Sequence, residues 1–128
     1  MDKWWRGLAA AGLAGSALVH FLLYWDSGYA DIDVVGPLFL LNGVAGVVIA
    51  LAVLFWQHWL LALAAFGFGA ATLVSYFLAT TVGFFGVHDR FTSQFEYWGV
   101  VTEVLCVVSG LILLVRDLRS RRAVTVSR

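Results

Sequence analysis

Three residues of this 128-residue chain combine reactive side chains with surroundings that should exclude water: His20, Asn42 and Glu103. Each lies inside a long apolar run. An acid in hydrocarbon costs several kcal/mol on most scales and normally survives only beside a partner in a bundle or a wet cavity. A carboxyl, an imidazole and a carboxamide together can share a proton, hold a small ligand or tie helices together. They lie about five (His20), five (Asn42) and eight (Glu103) residues from the outer ends of their expected helices, roughly 7–12 Å deep at 1.5 Å per residue. Tyr24, Tyr76 and Thr80 are placed to line the mouth of such a site, and His88 or Asp89 to cap it.

Other chemistries fit less well. A haem held by two histidines needs a second imidazole in the membrane, and His20 is the single histidine within an apolar run. A tight metal site requires His20, Glu103 and His88 to converge, which no ligand spacing indicates. The lone Cys106 excludes an internal disulfide and is expected simply to pack. His58, in a short turn, is expected among lipid headgroups. No nucleophile elbow, phosphate loop or metalloprotease motif is present, so an enzyme is not the expected class.

The elements that must position these residues follow from composition. The chain is 62% hydrophobic and 12% charged, against about half and a quarter for soluble domains. Its apolar residues fall into four runs, 8–25, 37–56, 59–82 and 95–115, each near the ~17–25 residues of a spanning helix. The first run is expected to remain as a span and not as a cleaved signal peptide. One all-α domain is therefore expected, an integral membrane antiparallel four-helix bundle. Gln57-His58 makes spans two and three look like tightly joined neighbours. Residues 116–128 read as a frayed basic tail.

Charge and tryptophan give one consistent topology. Lys3, Arg6, Arg116, Arg119, Arg121, Arg122 and Arg128 flank the chain ends, while Arg90 stands alone in a loop. The positive-inside rule then puts both termini in the cytoplasm. Trp4, Trp5, Trp56 and Trp59 fall at the inner surface, and Trp25 and Trp98 at the outer one, as an aromatic belt requires. The basic tail suits anionic lipid; with few basic residues and no interleaved aromatics, nucleic-acid binding is not expected.

Small residues at helical spacing mark expected seams: Gly12, Ser16 and His20 in span one, Asn42, Gly46 and Ala50 in span two, Gly67, Ala71 and Ser75 in span three. Segments 9–23 and 64–78 align at a displacement of 55, with Gly12 over Gly67 and His20 over Ser75. Two duplicated helical hairpins are one reading, and chance alignment of Ala/Gly/Leu-rich helices is the other. Ser93 with Glu96 matches a capping box opening the fourth span.

The stretches Gly28-Tyr29, Asp31-Ile32, 36–42 (Gly-Pro-Leu-Phe-Leu-Leu-Asn) and Gly83-Phe84-Phe85-Gly86 resemble an uncharacterised family of small four-helix membrane proteins of high-GC bacteria. The resemblance covers most of the membrane part and implies a bacterial plasma-membrane location. It carries over no catalytic residue. The expected function is an accessory or assembly subunit acting through a protein partner or a homo-oligomer. The alternative is a ligand-binding or proton-linked protein, for a metal, haem, quinone or small solute, built on His20, Asn42 and Glu103.

Overall fold

The computed structural model describes residues 2–88 and 94–127, except the Asp2 side chain. Helices α1 (Asp2–Asp26), α2 (Val35–Phe55), α3 (Trp59–Thr80) and α4 (Gln94–Val126) follow one another, with a 3-10 turn at Tyr29–Asp31 between the first two. All four are long and apolar enough to cross a membrane, as in a multi-pass membrane protein. Away from water a backbone must satisfy its own N–H and C=O groups, and uninterrupted Leu, Ala and Val runs do so as helices. The single proline, Pro37, falls in the first turn of α2, where its missing N–H costs nothing. Between α1 and the 3-10 turn, Gly28 adopts the left-handed conformation, with φ 77°. His58 caps α3: its ring Nδ1 accepts a hydrogen bond from the Leu60 N–H at 3.2 Å.

The helices pack unequally. α1 and α4 form a central pair; α2 packs along α1, and α3 along α4. The α2–α3 seam is sparse, so the two spans joined by the shortest connection are not close-packed neighbours. Where packing is tight, it closes on small residues. A Cβ added to Gly12 would stand 2.9 Å from the Thr102 carbonyl oxygen of α4, so only glycine lets these backbones approach. The buried core gathers in the half of the bundle nearest the termini: Ala9, Leu13, Ala50, Val53, Ala65 and Leu113. There Arg6 also reaches across from α1 to the end of α2. Its Nε donates to the Val53 carbonyl at 2.9 Å and its Nη2 to the Leu54 carbonyl at 2.7 Å, answering two of the carbonyls a helix end leaves unpaired.

Several sequence expectations change. α1 starts at Asp2, well before residue 8, and α4 runs to Val126. The segment after Arg116 is thus an exposed helix and not a frayed tail; no glycine or proline follows Gly110, and its Arg and Leu residues are good helix formers. Ser93 and Asp89 lie outside the described residues, while Glu96 occupies the first turn of α4. The third small-residue track closes no helix–helix seam. Nothing lies within 4 Å of a Cβ built on Gly67, and Ala71 is exposed. Instead α3 turns Ala62, Ala65 and Gly69 inward. The 55-residue register is consequently not a packing register, since Gly12 meets α4 and its counterpart Gly67 meets nothing. The hairpins α1–α2 and α3–α4 are each well packed, but the seams between them differ, α1–α4 being closed and α2–α3 open.

Candidate functional site: a polar-lined cavity between helices 2 and 3

The open seam leads into a cavity of about 360 Å³ in the half of the bundle away from the termini. Such a volume falls within the usual range for small-molecule sites, about 300–1,000 Å³. Helices α1 and α4 supply its back wall, and α2 and α3 its sides. Tyr29 of the 3-10 turn, with Phe84 and Val87 from the turn after α3, lines the end nearest the loops. Phe84 and Val87 are held there by paired backbone hydrogen bonds of 2.9 Å. The two residues between them, Phe85 (φ 47°) and Gly86 (φ 81°), take the left-handed conformations that such a two-residue turn requires.

His20, Asn42, Glu103 and Tyr76 all line this one cavity. They come from α1, α2, α4 and α3 respectively. Every helix of the bundle therefore contributes a polar side chain to the same space.

His20 is oriented from its own helix. The Ser16 carbonyl lies 2.8 Å from its Nδ1, and a carbonyl can only accept, so Nδ1 carries the proton. In the neutral ring Nε2 is then a free acceptor or ligand atom. Phe39 of α2 stands edge-on to the imidazole at 4.9 Å between ring centroids and fixes its plane.

The Asn42 Oδ1 is buried and has no hydrogen-bond partner among the described residues, whereas nearly all buried polar atoms have one. Leaving such an atom unpaired costs about 1–3 kcal/mol.

Glu103 is 5% exposed, placed by the contact of α4 with Gly69 of α3. The Thr72 hydroxyl of α3 lies within hydrogen-bond reach of its carboxyl. That hydroxyl is also bonded to its own helix, at 2.8 Å from the Phe68 carbonyl and 3.0 Å from the Gly69 carbonyl. Cys106, one turn on, is fully buried and packs.

Three expected contributors stand elsewhere. Tyr24 does not line the cavity; its ring packs edge-on against Trp25 at 5.4 Å, because it faces the neighbouring tryptophan and not α2. His88 is exposed and lies over Gly83 instead of reaching the cavity. Thr80 turns its hydroxyl back to the Tyr76 and Phe77 carbonyls. Among the described residues no group of three His, Cys, Asp or Glu side chains is placed to hold a metal ion. The His20–Glu103–His88 set that a tight metal site would require is therefore not assembled.

The residues missed from sequence are Thr72 and the aromatic lining, including Phe39, Phe68 and Phe95. A signal was present for one of them. Ala65, Gly69, Thr72 and Tyr76 recur at spacings of four, three and four, one face of a helix, beside the Gly67, Ala71 and Ser75 track.

No protein-family model, no curated protein and no solved structure matches this chain.

Proposed function

We propose that this chain is a ligand-binding protein of the bacterial plasma membrane, its termini cytoplasmic, which takes a membrane-dissolved small molecule into the hollow half of its bundle. One observation carries the reading: the intramembrane His, Asn and Glu, far apart in sequence, all face a single cavity of about 360 Å³. A purely structural polar network would bond these groups to one another across the helices. Here His20 bonds its own helix and Glu103 reaches Thr72 instead of His20 or Asn42, so His20 Nε2 remains available to an occupant.

Native mass spectrometry of the protein released from its own membranes tests this. A bound small molecule is expected on the wild-type chain and should be lost in Ala45→Phe, which fills the cavity from α2. A bare wild-type chain that also fails to take up added lipophiles would refute the proposal.

The accessory-subunit reading retains one support. Gly67, with nothing within 4 Å, and exposed Ala71 leave a small-residue strip on α3 beside the open seam, a surface suited to close approach by another helix. Dimers or larger complexes that are lost in Gly67→Leu would favour it.

A further inference from the structure

Three features of the cavity restrict its occupant. Its walls are aromatic, with Tyr29, Phe39, Phe68, Tyr76, Phe84 and Phe95 all on the lining. Tyr29 and Phe39 are already stacked at 4.6 Å between centroids, and rings of this kind favour a further ring stacked or edge-on. A dry cavity of about 150 Å³ takes one benzene, so the ~360 Å³ here accommodates a substituted ring with a short length of chain.

The second feature is hydrogen-bond polarity. With Nδ1–H bonded to the Ser16 carbonyl, His20 offers Nε2 as an acceptor. The Asn42 oxygen is buried and lies out of an occupant's reach. An imidazole acceptor on the cavity wall calls for an occupant that brings a donor.

The third is the direction of access. Leu41 of α2 is 62% exposed and Ala71 of α3 is also exposed, yet both line the cavity. They stand roughly 9 and 14 Å from the loop-side ends of their helices at 1.5 Å per residue. In a spanning bundle that depth borders acyl chains, so the opening between α2 and α3 admits molecules dissolved in the bilayer.

We infer that the occupant is a membrane-dissolved phenol or hydroquinone, whose ring lies among the aromatic side chains and whose hydroxyl donates to His20 Nε2. The inference rests on the ligand-binding reading above and adds the chemical class. No covalent or redox step is part of it.

The test uses a short-chain alkylhydroquinone and its dimethyl ether, titrated under reducing conditions into the full chain in lipid nanodiscs, with occupancy read by native mass spectrometry. The ether has nearly the same body but no O–H, and leaves the His20 acceptor unpaired. The hydroquinone should bind at least about tenfold more tightly. His20→Phe should remove most of that preference while retaining the affinity for the ether, and His20→Leu offers the same comparison if the first variant does not fold. Equal affinity for the two probes, or an undiminished preference in both variants, overturns the inference and leaves the ligand-binding reading standing. Binding of neither probe by a folded wild-type protein overturns the inference; if no other lipophile binds, the ligand-binding reading falls too.

Discussion

Gly69 of α3 lies so close to Glu103 of α4 that a methyl group at position 69 would stand 2.7 Å from the Glu103 carbonyl oxygen. The same methyl would meet the Cys106 Cβ at 2.8 Å. Neither neighbour can yield cheaply, one being backbone and the other the root of a buried side chain. The position of the intramembrane acid is thus set by the absence of a side chain on the facing helix. Gly69→Val should destabilise the bundle by about 1–3 kcal/mol through overpacking, read as a lower thermal midpoint in detergent. Gly67→Val, two residues away and facing open space, should change stability by under about 0.5 kcal/mol. Equal effects at both positions would contradict the assigned face of α3.

Arg6 should act as a clamp between α1 and α2. Removing its two hydrogen bonds to Val53 and Leu54 leaves carbonyls at the end of α2 without side-chain partners. Arg6→Ala is expected to cost about 1–2 kcal/mol, with faster amide exchange confined to the last turn of α2. Arg6→Lys should recover only part of the loss, because a single ammonium cannot reproduce the planar fork.

Asn42→Leu offers an informative sign. In the empty protein it removes a buried oxygen that lacks a partner, so the apo form should become more stable, by up to about 1–3 kcal/mol. A destabilised apo protein would mean that Asn42 is a structural hydrogen-bonding residue.

How far the architecture could be read in advance differs from helix to helix. Span number, helical class and the alternation of direction follow from run length and hydropathy, because a bilayer permits few solutions. The convergence of His20, Asn42 and Glu103 followed from matching their depths on separate helices. Which helices touch did not follow. Gln57-His58 joins α2 to α3 by a short turn, yet their seam is open, because turn length limits separation only at one end. Tyr24 lies one turn beyond His20 and His88 in a loop at the outer end, yet neither lines the cavity; the rotation of α1 and the fold of the 83–88 turn carry them away. Gly67 and Gly69 are equally small and equally spaced from other small residues, and only the packing of α3 against α4 distinguishes them.

Glu103→Gln separates a binding role from a scaffolding one. It preserves volume and hydrogen-bonding capacity while removing the ionisable group. Uptake of the bound species should be lost with the thermal midpoint nearly unchanged. A large fall in stability, with no bound species to lose, would assign Glu103 to helix pairing.

Ligand binding requires an open seam between α2 and α3 with His20, Asn42 and Glu103 all lining the cavity behind it, and cryo-electron microscopy of the chain in a lipid nanodisc measures this directly. The expected result is a cavity of several hundred Å³ lined by these three side chains, with density for a ring-bearing molecule between Leu41 and Ala71. A closed α2–α3 seam, or any of the three side chains facing lipid on its own sector of the bundle, would contradict it.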